Sequence, residues 1–306
     1  MRSLFAKEIT NLAKINKDIV LLSGDIGNRM FDDFKNTAPD RYINCGIAEA
    51  NMMSLAAGMS LCGLRPFVYT ITPFTTTRCL EQIKIGVAYH DSNVVILGTG
   101  SGLSYAELGP THHSLEDIAI VRAIPNIRIL APSDPLELQV QLRETLSVKG
   151  PTYIRIGKKG EPTIFNKNHN LGIGKANIVC EGSDYIIFCI GPIINEAIAA
   201  SNELKKYGIS LAVASMSSVR PLDESFLENI VKRGFKKWIS LEEHGLIGGL
   251  GSSILEWLSD KNYIKFIDFK RIATEDKFIN KLGNQSYVRE ILKIDSKSIV
   301  NLIREK

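Results

Sequence analysis

Short β-branched runs alternate with helix-period stretches along this chain, and that alternation narrows the choice of fold more than any other feature. The runs Ile19–Ser23, Pro66–Thr70, Val94–Gly98, Ile127–Ala131 and Thr152–Ile156 read as strands. Between them, Glu49–Leu61, Thr77–His90, Glu116–Ile124 and Pro135–Ser147 carry apolar residues at helical intervals. A crossover through a helix returns the chain to the same end of a sheet, so strands spaced this way pair in parallel. Such a sheet is covered on both faces. The expectation is an α/β fold with parallel or mixed sheets.

From Glu161 to Asn170 the pattern breaks into a polar stretch containing Pro162, Asn166, Lys167, Asn168 and Asn170, which reads as a linker. A second alternating unit follows: strand Tyr185–Ile190, helix Ile194–Tyr207, strand Ser210–Ser215, helix Asp223–Arg233, strand Lys237–Leu241 and helix Gly251–Leu258. A helix-like tail covers Ser286–Glu305. The division expected is a first domain over residues 1–165, a linker over 166–176 and a second domain over 177–306. At 306 residues, 44% hydrophobic and 23% charged, the chain has the length for two cores and the balance of a globular protein.

The net charge of +4 is spread without a basic block, so no nucleic-acid surface is expected. Cys45, Cys62, Cys79, Cys180 and Cys189 form no CxxC pair and read as reduced thiols, mostly in core packing. The N-terminal stretch is amphipathic, with Leu4, Ile9, Leu12 and Ala13 on one face, and lacks the apolar centre and cleavage site of a signal peptide. No apolar run is long enough to cross a bilayer. These features together lead to the expectation of a cytoplasmic protein without membrane association.

Four segments are candidates for chemistry. In Asn44–Met53, Glu49 opens an otherwise apolar helix. One reading is a first-turn glutamate favoured by the helix dipole and exposed to water; the other is a carboxylate in apolar surroundings that shares a proton with a bound base. In Tyr69–Arg78, a threonine-rich loop at the C-terminal edge of the sheet holds Phe74, which either anchors the loop or stacks on a flat heterocycle. The long loop from Gly98 through Ser114 contains Gly100, Gly102, Gly109, His112 and His113. Leu103 stands where a dinucleotide fingerprint needs its third glycine. His112 is there either as a satisfied loop residue or as a hydrogen-bonding and proton-donating group. In Leu241–Ser253, Glu242, Glu243 and His244 are consecutive and point different ways, so no metal site is expected, and the glycines suggest a tight turn into a helix.

Gly24-Asp25 with Asn51 downstream superficially matches the Gly-Asp-Gly…Asn pattern that binds magnesium and diphosphate. Ile26 replaces the second glycine, and Asn51 lies inside the Glu49 helix. The pattern is rejected as a magnesium site, leaving Asp25 and Ile26 as sheet-edge residues facing a ligand.

In order and at their intervals, these segments resemble the transketolase family, specifically the C-terminal half that occurs as a separate subunit of split transketolases. Deoxyxylulose-phosphate synthase is similar over the same region. Residues 44–53 are similar to the family's stretch around its catalytic glutamate, 69–82 to its cofactor-stacking loop, and Gly109-Pro110-Thr111-His112 to its substrate-histidine loop. Pro125-Asn126 through Ala131–Asp134 are similar to the strand that follows, and Glu242–Ser253 to its C-terminal domain. The resemblance implies a pyrimidine-binding domain over 1–165, a transketolase C-terminal domain over 177–306, and thiamine diphosphate held between two chains.

What the resemblance implies for single residues is specific. Glu49 hydrogen-bonds the pyrimidine ring nitrogen and favours the imino tautomer, and Phe74 stacks on the ring. Asp25 and Ile26 approach the cofactor from the neighbouring subunit. His112 contacts the ketose donor. Lys158 falls where a phosphate-binding arginine usually sits, keeping the charge but losing the bidentate fork. Mg2+ and the diphosphate would be held by an N-terminal partner subunit, with no metal ligand in this chain and a dimer of heterodimers as the assembly. The implied reaction is transfer of a two-carbon ketol unit from a ketose to an aldehyde sugar, with this chain inactive alone.

Some positions depart from the family's pattern. Gly100 replaces a histidine that helps hold an acceptor phosphate, Leu108 an aspartate that reads a hydroxyl, and Ser101 an arginine of the synthase. Thr77 and Leu80 sit where larger aromatics complete the pyrimidine pocket. An unphosphorylated or modified sugar acceptor is the expectation these departures raise. Two other readings stand beside this one. The first is the beta subunit of a 2-oxo-acid decarboxylating enzyme, against which Gly46–Met52 and His112 weigh. The second is a non-catalytic regulatory partner, against which retained Glu49, Phe74 and His112 weigh.

Overall fold

The computed structural model describes residues 1–161, 163–166 and 169–305. Pro162, Lys167 and Asn168 of the expected linker lie outside the described residues. The chain opens with α1 (Arg2–Ile15), whose buried face carries Phe5, Ile9, Leu12 and Ala13. It continues through β1 (Ile19–Ser23), α2 (Asp32–Thr37), β2 (Tyr42–Asn44), α3 (Glu49–Leu61), β3 (Arg65–Ile71) and the single turn α4 (Thr72–Thr75). A tight turn over Thr77–Cys79 widens into π-type turns over Gln82–Tyr89. Then come β4 (Val95–Thr99), α5 (Asp117–Arg122), β5 (Arg128–Leu130), α6 (Pro135–Glu144) and β6 (Thr152–Ile156).

The second half holds β7 (Asn177–Cys180), β8 (Tyr185–Ile190), α7 (Ile194–Leu204), β9 (Leu211–Ser215) and β10 (Ser218–Arg220). It continues with α8 (Glu224–Lys232), β11 (Lys237–Gly245), α9 (Leu250–Asp260), β12 (Asp268–Thr274), α10 (Gln285–Ile291) and α11 (Ser296–Arg304). The tail read from sequence as one helix is therefore two, parted where Lys293 takes φ 57.

Two sheets result. The first has seven strands in the order β10-β5-β6-β4-β3-β1-β2 and is parallel except for β10. The second has five, β12-β11-β8-β9-β7, parallel except for β7. The edge strand β10 comes from the second half of the sequence yet pairs with β5, Ser218 opposite Leu130. One sheet thus borrows its last strand from beyond the expected linker.

Strand alternation distributes the core. Ile19 and Leu21 of β1 face the α1 side with Phe5, Phe31, Phe34 and Phe67. Val20 and Leu22 face the other side, in a cluster that runs through Met52 and Val68 into Phe188, Trp238 and Trp257 of the second sheet. One apolar cluster thus packs the two sheets together. Polar ties reinforce it: Glu243 of β11 accepts from the Leu103 backbone at 2.6 Å, from Gln285 at 2.8 Å and from Arg289 at 2.5 Å.

Because β1, β3, β4 and β6 are parallel and adjacent, their carboxyl ends open on one side of the first sheet. The segments that leave those ends carry Gly24–Ile26, Phe74–Arg78, Gly100–His113 and Lys158. Ligands of open α/β sheets bind along such an edge.

Candidate functional site

Side chains from three of these segments and from α3 form one unbroken row. Glu49 is the first residue of α3, and its side chain is only 3% exposed. Arg78 reaches it from the turn after α4, Nη1 donating to Oε2 at 2.8 Å. The same guanidinium lies over the ring of Phe74, 3.9 Å from its centroid. The Phe74 ring meets the imidazole of His112 edge-on at 5.4 Å, and His112 meets Tyr105 at 6.0 Å. The ammonium of Lys158 sits 4.4 Å above the Tyr105 ring and bonds Glu107 at 2.7 Å.

Local chemistry sets each position. Thr72 ties the Phe74 turn to β4 by donating to Thr99 O at 3.1 Å, while Thr75 and Thr76 donate back to Thr72 O at 3.0 and 2.8 Å. This is why a threonine-rich loop holds an aromatic ring half in the open. Thr111 Oγ1 lies 2.9 Å from His112 Nδ1. Partial burial, with His113 and Arg78 adding to it, pushes the His112 imidazole below its ordinary value, so the neutral ring is favoured. The neighbouring His113 is buried, its Nε2 3.2 Å from the Ala106 carbonyl, a structural contact. Burial and then the nearby Glu49 push the Cys79 thiol up to about 12, which keeps it protonated beside the site.

Backbone and side chains pack closely next to Glu49. A Cβ on Gly24 would stand 3.3 Å from Glu49 Cγ and 3.1 Å from Thr70 Cβ, and the buried Thr70 Oγ1 has no hydrogen-bond partner. Asp25 and Ile26 follow Gly24 beside Glu49 rather than within the row. Asn44 donates to Asp25 Oδ1 at 3.0 Å, and the Ile26 carbonyl accepts from Ser23 Oγ at 2.7 Å. A cleft of about 720 Å³ opens beside Phe74 and Arg78, lined also by Thr111, Ile120 and Phe278, the last 76% exposed.

The structure therefore brings Glu49, Phe74, His112 and Lys158 together and leaves Asp25 and Ile26 alongside. Two residues that join them, Arg78 and Tyr105, escaped the reading of the sequence. Arg78 was visible as the one charge in a neutral threonine loop, four residues after Phe74. Tyr105 gave no signal except the glycine it needs: Gly100 has φ +80, and a Cβ there would meet the Tyr105 ring at 2.0 Å.

Glu242 and Glu243 serve the fold. They alternate on β11, Glu242 accepting from the Leu250 and Gly251 N–H groups at 2.8 and 2.9 Å at the start of α9 while Glu243 turns to the interdomain ties. Among the described residues no group of three or more His, Cys, Asp or Glu side chains is placed to hold a metal.

Residues 1–161, which carry the whole row, match the model of the transketolase pyrimidine-binding domain, and residues 174–280 match that of the transketolase C-terminal domain. The chain belongs to the transketolase family. It is similar to a subunit of the apulose-4-phosphate transketolase of Phocaeicola vulgatus, 34% identical across 85% of this chain and 83% of that protein. It is also similar to a 6-deoxy-6-sulfo-D-fructose transketolase subunit of a Clostridium species, 31% identical across 100% of this chain and 94% of that protein. A solved structure described as a split-gene transketolase in an inactive beta4 tetramer superposes with TM-score 0.88 at 29% identity, covering 99% of this chain and 96% of that one.

Membership of the transketolase family implies thiamine diphosphate, and the residues present fit its flat aminopyrimidine. The guanidinium of Arg78 already makes the two contacts such a ring needs, a face against Phe74 and an N–H donated to Glu49. The unpartnered Thr70 hydroxyl leaves polar capacity on the Gly24 side of Glu49.

Proposed function

We propose that this chain is the C-terminal subunit of a heteromeric, thiamine-diphosphate-dependent transketolase that transfers a two-carbon ketol unit from a ketose donor to an aldehyde acceptor. The observation that carries this reading is the Glu49–Arg78–Phe74 stack. It pairs a buried carboxylate edge with an aromatic face at the separation a planar N–H donor fills. When bound, the cofactor supplies the carbanion chemistry that ketol transfer needs. Glu49 then holds a proton at the pyrimidine ring nitrogen, and Phe74 fixes the plane of the ring. His112, next along the row and favoured neutral, has Nδ1 engaged by Thr111 while its Nε2 has no partner among the described residues, which leaves that nitrogen for an oxygen of the ketose. Lys158 closes the row at its far end as a substrate contact. Asp25 and Ile26 border the site of a neighbouring subunit.

The magnesium ion and the diphosphate belong, on this reading, to a partner with the diphosphate-binding domain, the two subunits forming a dimer of heterodimers in the cytoplasm. The surface of α3 supports such a partner. Glu49 is its only charged residue, yet Leu55 and Leu61 are exposed, with Ile47 just before it 81% exposed. Leu80 and Ile85 are exposed on the helical segment packed beside it. Exposed leucines and isoleucines grouped on neighbouring elements call for cover.

The test is Glu49→Gln in the complex reconstituted with an N-terminal transketolase subunit. Gln keeps the shape and loses the acidic proton, so kcat should fall at least about 100-fold, the scale of a lost acid–base contribution. Unchanged turnover would assign the chain a non-catalytic regulatory role instead.

A further inference from the structure

The loop that carries His112 runs from the end of β4 to the start of α5, yet it packs into the second half of the molecule. Its Leu103 and Ala106, with Leu115 just beyond, lie in one apolar cluster with Ile187, Cys189 and Leu241 of the second sheet. The two ends of the loop meet. The Gly102 N–H donates to Ser114 Oγ at 2.9 Å, and the Ser114 N–H donates to Gly102 O at 3.0 Å. Strand β11 then holds both ends. The Leu103 N–H donates to Glu243 Oε1 at 2.6 Å on one side, and the Gly245 N–H donates to Leu115 O at 2.7 Å on the other. Gly102 takes φ +61, and a Cβ there would stand 2.6 Å from Glu243 Oε1, so only glycine lets the carboxylate come this close. Glu243 is itself fixed and buried, Gln285 donating to Oε1 at 2.8 Å and Arg289 to Oε2 at 2.5 Å.

Between these ties the loop is knitted by its own short-range bonds. The Ala106 N–H donates to Leu103 O at 2.9 Å, and the His112 N–H donates to Gly109 O at 3.0 Å. The His113 ring links the two turns from within, its Nε2 3.2 Å from Ala106 O. A compact loop whose ends touch moves as one piece. The setting of its base therefore fixes where the His112 ring stands against Phe74. Glu49 and the Phe74 turn are held differently, by α3 and by the Thr72–Thr99 bond within the first sheet. One part of the site thus depends on the Glu243 carboxylate and the other does not.

We infer that Glu243 is a positioning residue for His112, so that the second half of the chain sets the place of the substrate histidine while the first half alone sets that of Glu49 and Phe74. The inference rests on the transketolase reading above, in which His112 contacts the ketose. Glu243→Asp keeps the negative charge opposite Arg289 and withdraws the carboxylate from the Leu103 N–H by one methylene. In the full chain alone it should speed amide hydrogen exchange over residues 103–114 and leave α3 unchanged. In the complex reconstituted with an N-terminal transketolase subunit, xylulose 5-phosphate serves as donor and ribose 5-phosphate as acceptor. There it should lower kcat/KM for the donor at least about tenfold. The Kd of thiamine diphosphate in the same complex should stay within about twofold. Glu243→Gln, which keeps the reach to Leu103, should recover most of the donor's kcat/KM. A general loss of packing would weaken donor and cofactor together. Should Glu243→Asp not fold, Gln285→Leu removes one donor to Oε1, leaves Glu243 charged opposite Arg289, and should repeat both effects at about threefold. Unchanged exchange over 103–114, faster exchange with the donor's kcat/KM unmoved, or a parallel loss of cofactor overturns the inference alone. Absence of transfer by the unaltered complex overturns the transketolase reading and the inference with it.

Discussion

Gly100 and Tyr105 show how one position can be decided by the shape of another. The glycine adopts φ +80, and a methyl group added there would overlap the Tyr105 ring. Gly100→Ala should therefore destabilise the chain by about 1–3 kcal/mol, from backbone strain and overpacking together. Urea unfolding would measure it. Adding Tyr105→Ala should return the steric part and leave the strain, so the two substitutions should couple in a double-mutant cycle. Strictly additive effects would mean that the ring moves aside at no cost. The same two residues mark a limit of sequence reading. Glu49, Phe74 and His112 were legible because a motif and its spacing surrounded each. Tyr105 was not, because its role depends on what lies against it in space, and nothing near it in sequence says so.

Among the elements, α6 carries a group whose environment has a measurable consequence. Glu137 is fully buried where α6 meets the end of β9, accepting from the Ser133 N–H at 2.7 Å with Ser215 Oγ 3.3 Å away. Burial pushes its carboxyl from 4.5 up to about 7, against the pull of the Ser133, Ser217 and Ser215 donors and with Asp134 adding to the rise. Between those two values the native chain keeps a proton that the unfolded chain has lost. Stability should thus fall as pH rises through that window and level off above it, by about 3 kcal/mol in all. Glu137→Gln should flatten this slope, read as the difference in urea midpoint between about pH 5 and pH 8. An equally steep slope in the variant would place its origin elsewhere.

The elements themselves were unequally legible. Strands β1, β6 and β8 match their expected limits, since every residue in them is buried and turn-forming residues flank them: Asp18 and Gly24, Pro151 and Gly157, Asp184 and Gly191. Strands β2, β7, β10 and β12 were missed. The first and third have three residues each, β7 is a short antiparallel edge, and β12 carries Asp268, Lys270 and Arg271 on an edge where charge is tolerated. Helix α3 was read with its limits correct, but periodicity was silent about the π-type turns beside it, which differ from α-helix by one residue per turn rather than by composition.

For the whole molecule, the decisive surface is the one that this chain leaves uncovered. Ile47, Leu55, Leu80 and Ile85 stand exposed on and around the two elements that carry Glu49 and Arg78, so under the proposed function assembly and catalysis would share the same scaffold. Leu55→Glu should weaken association with the N-terminal subunit at least about tenfold, by sedimentation or light scattering, while the isolated chain keeps its fold by circular dichroism. Unimpaired association would move the interface to another face. The borrowed strand β10 bears on this scale too. Because it completes the sheet that holds the row, separating the chain at the expected linker would strip that sheet of an edge, and the two halves should be handled as one body.

The place of Arg78 changes what affinity means for this protein. A guanidinium that lies on Phe74 and bonds Glu49 has to leave before any planar ligand can take the same two contacts. Loading the site is thus an exchange, one flat N–H donor displaced by another, and the observed constant reports the difference between them. The fraction of molecules with the arginine swung out scales the intrinsic constant. A partner surface that offers Arg78 a carboxylate elsewhere would raise that fraction without touching the ligand. Assembly and loading would then be two readings of a single equilibrium.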